Sequence, residues 1–283
     1  MSKEILLEIN KHVATITLNK PERGNSLTLS MINEFLSIFR ELENNSSISI
    51  IIITGKGKYF CTGMDLQRTN ITSTPLTSSF SKNNNNNNKI DSIKNDSLKT
   101  YEIGTLFYNT IKSSKKVIIS KINGPVLGGG IGLMFVTDIR ICNEKNFYFC
   151  FNEVKVGLLP AIISQYIVPE LGLFKTKQYM LTGEKIFTKQ ALNDGIISTS
   201  ATDDNDLNKK VEEYTKMLLS SAPKAMGKIK KLIQIINSTD INDDKKKDFI
   251  KEQFIQMMNS EEAIHGIKAF SMKQIPDWFK SNM

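Results

Sequence analysis

The hydrophobic pattern at the start of the chain predicts a hairpin, a helix and a buried strand. Apolar residues alternate over Ile5–Ile9, and a second β-rich run over Val13–Leu18 follows a turn at Asn10–His12. From Leu29 to Leu42 the apolar positions recur at helical spacing, whereas Ile48–Ile53 is a continuous apolar run of strand length. This order predicts a mixed α/β fold whose chemistry lies in loops that follow strands.

The middle of the chain continues this alternation around a glycine-rich turn. A strand predicted at Val117–Ile122 leads into the turn Asn123–Gly132 and a short helix, and strands are predicted again at Asp138–Cys142 and Phe147–Phe151. Further helices are predicted at Leu98–Lys112, Ile162–Leu171, Phe174–Leu181 and Thr188–Asp194. Strands and helices therefore alternate through most of the first 203 residues.

Two regions depart from the alternation. Residues 67–97 are rich in Ser, Thr and Lys and contain six consecutive asparagines, Asn83–Asn88, which cannot bury apolar surface. We interpret them as a mobile, low-complexity insertion within a core domain of residues 1–203. Residues 204–283 form the predicted helical C-terminal section, with helical patterns at Val211–Leu219, Pro223–Ile236 and Asp244–Phe270.

Composition is typical of a globular chain that needs neither disulfides nor a structural metal. A chain of 283 residues buries about 75% of its unfolded surface on folding. Cys61, Cys142 and Cys150 lack Cys-x-x-Cys spacing, which argues against a disulfide framework and a zinc site and indicates a reducing compartment. The longest nearly apolar stretch, Gly124–Val136, is shorter than the roughly 18 residues of a membrane-spanning helix. The two histidines have no companions at ligand spacing, so no metal site is expected.

Charge and the two ends of the chain bear on partners and location. The formal net charge of +8 suits a polyanionic ligand, but no aromatic and basic RNA-binding motif is visible, so nucleic acid is not expected as a partner. The first residues carry acidic side chains, unlike a secretory or mitochondrial leader. Ser281–Met283 resembles a degenerate peroxisomal signal. The expected location is therefore the cytosol or the peroxisome.

Two glycine-containing loops are the candidates for chemistry. The cluster Gly128–Gly132 follows a strand and begins a helix, but it lacks both the Gly-x-x-x-x-Gly-Lys-Ser/Thr phosphate loop and the third glycine of the dinucleotide fingerprint. The loop Tyr59–Leu66 also follows a strand and contains small residues. Backbone amides of two such loops can meet a carbonyl oxygen as it gains negative charge, which is the arrangement of an oxyanion hole.

Four segments, in order along the chain, resemble the enoyl-CoA hydratase/isomerase (crotonase) family. They are Pro21–Leu27, Phe60–Leu66, Asn123–Gly130 with Asp138, and Glu153–Pro160. The resemblance covers about residues 4–280, interrupted by the insertion. It implies an α/β fold, a spiral of repeated ββα units, in which the helical C-terminal section forms a homotrimer, often paired into a hexamer.

The same resemblance implies the roles of the loop residues. The substrate would be a coenzyme A thioester whose carbonyl lies between the Met64 and Gly129 amides, with no metal and no further cofactor. Thr62, Gly63, Asp65 and Leu66 would line the adenine and pantetheine path, and Arg23 would contact a phosphate. Gly128, Gly132 and Pro160 complete the predicted substrate-binding set.

The resemblance also implies a site with one carboxylate. Glu153 stands at one of the two glutamate positions of the family's hydratases, whereas Gly132 stands at the other. A single glutamate in an apolar pocket can move a proton between two carbons, which is isomerase chemistry. The stretch Glu153–Ser164, however, is similar to methylglutaconyl-CoA-hydratase-like members. We therefore favour hydration of a 2-enoyl-CoA in fatty-acid or branched-chain metabolism, with Δ3,Δ2-enoyl-CoA isomerisation and non-catalytic coenzyme A or RNA binding as alternatives.

Overall fold

The computed structural model describes residues 3–65, 86–145 and 147–279, which form two β-sheets surrounded by helices. The strands are β1 Ile5–Asn10, β2 Val13–Leu18, β3 Ile50–Gly55, β4 Val117–Ile122, β5 Val126–Leu127, β6 Ile139–Asn143, β7 Tyr148–Cys150, β8 Ile186–Phe187 and β9 Thr199–Ala201. The helices are α1 Leu29–Asn44, α2 Asn86–Lys112, α3 Gly129–Phe135, α4 Ala161–Leu171, α5 Leu173–Thr182, α6 Thr188–Asn193, α7 Asp204–Leu219, α8 Pro223–Ile236, α9 Asp243–Met258 and α10 Glu261–Ser271. Short 3-10 helices lie at Pro21–Arg23 and Asn152–Val156.

The larger sheet has the strand order β1-β2-β3-β4-β6-β9. The hairpin β1–β2 is antiparallel, and the other neighbours are parallel, so the loops after β3 and β4 leave the same edge of the sheet. In the smaller sheet, β5-β7-β8, the pairing of β5 with β7 brings the strand just before Gly128 next to the strand just before Glu153. The topology thus brings the two predicted loops and Glu153 to one region of the molecule.

The larger sheet is covered on both faces. In β3, Ile51 and Ile53 belong to the main apolar cluster with α1, whereas Ile50 and Ile52 pack on the opposite side with Leu207 of α7. A parallel strand buried on both faces is expected to be apolar at successive positions, as the sequence of β3 is. The first helix of the predicted C-terminal section is therefore anchored to the sheet.

The helix α3, which follows the glycine turn, is anchored at its C-terminal end by a buried arginine. Arg140 of β6 donates from Nε to Met134 O at 2.9 Å and from one terminal nitrogen to Phe135 O at 2.9 Å. The same nitrogen reaches Glu170 at 2.6 Å. These bonds satisfy carbonyl groups that a helix end otherwise leaves unpaired. The orientation of α3, and with it the position of Gly129, is fixed by the sheet.

The helical boundaries correct two expectations from the sequence. The helix α2 begins at Asn86 rather than at Leu98, so residues 86–97 are not an irregular insertion, and residues 67–85 lie outside the described part. Helix elongation costs little once a nucleus exists, which lets polar residues extend an amphipathic helix. The single helix predicted at Asp244–Phe270 is two helices, α9 and α10, because the Ser260 hydroxyl accepts from Ala263 N and starts a new one.

Three short strands were not predicted from the sequence. The strands β5, β8 and β9 have two or three residues each, which is too short for a periodic signal. The buried Glu262 of α10 accepts from the amides of Lys224 and Ala225 at 2.8 Å, and thereby caps α8. In the part of the chain that the structure describes, no helix is long and apolar enough to cross a membrane.

Candidate active site

The first amide donor of the site, Met64 N, lies in the loop that follows β3, which we call the Met64 loop. The pairing of this loop with Leu27 orients the amide. Leu27 N donates to Gly63 O at 2.7 Å, and Leu27 O accepts from Asp65 N at 3.1 Å. Because Leu27 uses both groups on the residues flanking Met64, the Met64 N–H points to the other side of the loop. It donates no hydrogen bond to any residue that the structure describes.

Gly63 lets this loop approach the glycine turn. Its φ of +88° belongs to a backbone region that side-chain-bearing residues rarely adopt, and a Cβ on it would lie 2.6 Å from Gly129 N. Any other residue would therefore strain the loop and cover the Gly129 amide. The close approach brings the two loops together at their backbones.

The second amide donor, Gly129 N, belongs to the first residue of α3. Gly128 turns the chain with φ 49° and ψ −126°, and its carbonyl accepts from Ile131 N at 2.8 Å. The Gly129 N–H has no acceptor among the described residues. A Cβ on Gly129 would lie 3.4 Å from Met64 N, so the two amides border the same small space. Two unpaired amides in this arrangement can bind an oxygen that gains negative charge.

The carboxylate of Glu153 lies next to this space. Its Oε1 would lie 3.5 Å from a Cβ on Gly128, and its buried Oε2 has no hydrogen-bond partner in the described part of the chain. Burial raises the pKa of Glu153 above its usual 4.5, although its backbone amide offsets part of this effect. A half-buried carboxylate with an unused oxygen and a raised pKa is suited to taking up and returning a proton.

Gly132 marks a wall of the site in which no side chain fits. A Cβ there would lie 2.3 Å from Ile163 Cγ2 and 3.0 Å from Tyr108 Cε1. The space that a second carboxylate would need is filled by these two side chains. The single-carboxylate interpretation thus has a steric basis in addition to the missing side chain.

The sequence matches the enoyl-CoA hydratase/isomerase family over residues 8–281. The chain belongs to this family. Two enoyl-CoA hydratases of Alternaria alternata are similar to it. One is 31% identical over 91% of this chain and 78% of its own length, and the other is 33% identical over 77% of this chain. The second alignment spans 65% of that relative's length.

A solved structure of this family confirms the expected crotonase fold. The crystal structure of an enoyl-CoA hydratase from Shewanella pealeana superimposes with a TM-score of 0.82 over 98% of this chain and 96% of its own, at 26% identity. These relatives are enzymes by name, and the loop that contains Met64, the glycine turn and Glu153 all lie within the matched region. The family resemblance of the sequence and the assembled geometry therefore agree.

The remaining predicted binding residues lie around the Met64 loop. Arg23 forms an ion pair with Asp65 at 2.8 Å, with Asp65 largely buried and Arg23 more than a third exposed. Thr62 N donates to Gly24 O at 3.1 Å, so the loop is tied to the turn that contains Arg23. Pro160 precedes α4, which supplies Ile163, and Leu66 lies outside the described residues. The structure therefore brings Arg23, Thr62 and Asp65 together, whereas Pro160 stands at the start of α4, whose Ile163 lies against Gly132.

The family sequence motifs did not assign a role to Asn25 or to Tyr108. Asn25 is fully buried at φ +55°, and its side-chain amide donates to Tyr59 O at 2.7 Å, which supports the start of the Met64 loop. Its sequence signal is the preference of Asn for left-handed backbone. Tyr108 approaches the glycine turn from α2, which lies outside every quoted motif. No sequence signal distinguishes it from an ordinary core aromatic residue.

Proposed function

We propose that this enzyme catalyses reversible hydration of a 2-enoyl-CoA thioester. The observation that carries the proposal is the pair of amides, Met64 N and Gly129 N, which have no acceptor among the described residues and lie beside the Glu153 carboxylate. The two N–H groups polarise the thioester carbonyl and stabilise the enolate that forms when water adds. The expected substrates are intermediates of fatty-acid or branched-chain acyl-CoA metabolism.

In the proposed reaction one carboxylate carries out both proton transfers. Glu153 takes a proton from water while the hydroxide adds to C3, and the electron pair of the double bond moves through C2 to the thioester oxygen. The enolate then collapses, and Glu153 returns the proton to C2, so that one water is added across the double bond. Thr62, Gly63, Asp65 and Leu66 would line the coenzyme A path with Arg23 near a phosphate. No further cofactor is part of the proposal.

A second candidate is migration of a double bond from the 3,4 to the 2,3 position. It is favoured by the packing of Ile163 and Tyr108 at Gly132, which leaves one carboxylate and an apolar wall. Glu153 would remove a proton from C2 and return it to C4, with the same enolate between the amides. The two reactions differ in whether water is incorporated.

The test is turnover of 2-enoyl-, 3-enoyl- and 3-methylglutaconyl-CoA, with products identified by NMR. Hydration predicts a 3-hydroxyacyl product from a 2-enoyl thioester. Double-bond migration without detectable water addition would replace the proposal by the isomerase. Absence of turnover, together with retention on RNA that falls steeply with salt, would favour the non-catalytic alternative.

We further propose that the enzyme is a homotrimer or a hexamer of two trimers. Support comes from α8–α10, whose apolar side chains are exposed in the single chain, among them Ile233 at 61% and Phe270 at 84%.

We propose the cytosol or the peroxisome as the location of the enzyme. Cys61, Cys142 and Cys150 are free and buried, which suits a reducing compartment.

A further inference from the structure

Tyr108 lies at the edge of the space between the two amides. Its hydroxyl donates to Gly129 O at 2.7 Å. A Cβ on Gly129 would lie 2.9 Å from this hydroxyl and 3.4 Å from Met64 N. The hydroxyl therefore contacts the residue whose amide is the second donor of the proposed oxyanion site.

The bond matters because α3 begins with residues that have little conformational restraint of their own. Gly129, Gly130 and Gly132 lie within its first four residues, and glycine has the greatest backbone freedom of any residue. Arg140 fixes the far end of the helix. The Tyr108 hydroxyl fixes the near end, at the peptide that follows the Gly129 amide.

The surroundings keep Tyr108 in one place and in one protonation state. Its ring is 2% exposed, contacts Phe107 edge-to-face at 5.1 Å between centroids, and lies against Gly132. Burial, with smaller contributions from Cys61, Tyr166 and Glu153, raises its pKa well above the usual 10. The hydroxyl thus remains a neutral donor throughout the working pH range.

We propose that Tyr108 is a positioning residue of the oxyanion site, whose hydroxyl holds the Gly129 peptide so that the Gly129 N–H faces the thioester carbonyl. This inference rests on the proposed thioester chemistry, whether the reaction is hydration or isomerisation. The side chain acts through Gly129 and takes no proton itself.

The test compares Tyr108→Phe with Tyr166→Phe. Tyr166 is the matched control because it is also buried, its ring lies 5.6 Å from that of Tyr108, and its hydroxyl donates to Asn109 rather than to α3. Loss of a whole oxyanion donor costs about 10²- to 10³-fold in kcat, so misorientation of one should cost about 10- to 30-fold. KM should change less than about threefold, since the amide stabilises the transition state more than the bound substrate.

A bound conjugated aromatic enoyl-CoA provides a readout that does not depend on turnover. Polarisation of its carbonyl shifts its absorbance to longer wavelength, so Tyr108→Phe should reduce the shift while Tyr166→Phe retains it. An unchanged shift and kcat in folded Tyr108→Phe, or equal losses in both variants, would overturn the inference. Absence of any shift in the wild-type protein would instead contradict the proposed function. If Tyr108→Phe does not fold, Tyr108→Met is measured, and failure of both to fold would identify a purely structural residue.

Discussion

The helices α1 and α8 have apolar faces of similar strength in the sequence but different surroundings in the structure. The helix α1 buries six residues, Met31, Ile32, Phe35, Leu36, Phe39 and Leu42, against the sheet. The helix α8 buries none, and Ile229, Ile233 and Ile236 remain about half exposed or more. Amphipathic spacing predicts that a face will be covered but does not identify what covers it. The apolar face of α1 is covered by the rest of this chain. We infer that the apolar face of α8 is covered by a second copy of the chain.

The proposed catalytic residues and the proposed subunit interface lie in different parts of the chain. Tyr108 lies on α2 and Gly129 on α3, whereas Met64 and Glu153 lie in segments that bond to neighbouring parts of the same chain. The exposed faces of α8–α10 contribute none of these groups. Substitutions in the core site should therefore change turnover, whereas substitutions on α8 should change the mass of the particle.

The largest expected effect is that of Glu153→Gln. The amide keeps the size of the side chain but cannot accept a proton, so turnover should fall by roughly 10²- to 10⁴-fold with little change in thioester affinity. Steady-state kinetics and calorimetry measure the two quantities. Glu41→Gln, on the exposed face of α1, is the control and should retain full activity. A loss of less than about tenfold would contradict the role of Glu153 as the base.

The raised pKa of Glu153 predicts the pH dependence of both activity and stability. The base must be ionised, so kcat/KM should fall as the pH decreases through a value above 4.5. A carboxyl with a raised pKa favours folding in its protonated form, and this contribution is lost as the pH rises through the raised pKa. Glu153→Gln should therefore have a higher Tm than the wild type at neutral pH and an equal Tm below pH 4.5. A lower Tm at neutral pH would contradict the burial argument.

The next largest effect concerns the Gly129 amide. Gly129→Pro removes the N–H at the first position of α3, where proline is compatible with a helix, and should reduce turnover by about 10²-fold or more. Gly129→Ala is the control because it adds a Cβ 2.9 Å from the Tyr108 hydroxyl but keeps the N–H. The ratio between the two variants measures the donor itself. Met64→Ala should have a mild effect, and an equal loss in folded Met64→Ala and Gly129→Pro would contradict donation by the backbone.

Assembly should respond to a charge on the exposed face of α8. Ile233→Glu places a carboxylate on this face, so the trimer should dissociate while the core remains folded. Sedimentation velocity measures the mass, and circular dichroism measures the fold. Lys231→Glu, an exposed change that also introduces a carboxylate, is the control. A monomeric wild type would refute the proposed homotrimer, and an unchanged mass of the Ile233→Glu variant would refute the placement of α8 in its interface.

The sequence predicts the site backbone better than the walls of the site. Periodicity identifies β3, β4 and α1, and the family motifs identify Met64, Gly129 and Glu153, because each is local in sequence. The contacts of Ile163 and Tyr108 with Gly132 join three distant segments. No spacing rule predicts these contacts. The sequence therefore shows only that Gly132 lacks the carboxylate that other family members have at this position. The structure adds that Gly132→Glu cannot be accommodated unless Ile163 moves, so this variant cannot serve as a clean test of a second carboxylate.

The smallest expected effect is that of deleting Asn83–Asn88. These residues are polar, and the structure places the start of α2 at Asn86, far along the helix from Tyr108. The deletion removes the first polar turn but leaves the apolar turns that pack on the core, including Phe107 and Ile111. Tm should change by less than about 2 °C, and turnover by less than about twofold, as measured by calorimetry and steady-state kinetics. A matched deletion of Phe107–Lys112 should abolish folding, since it removes buried core residues. A large loss of activity on deleting the asparagines alone would show that the start of α2 contributes to the site.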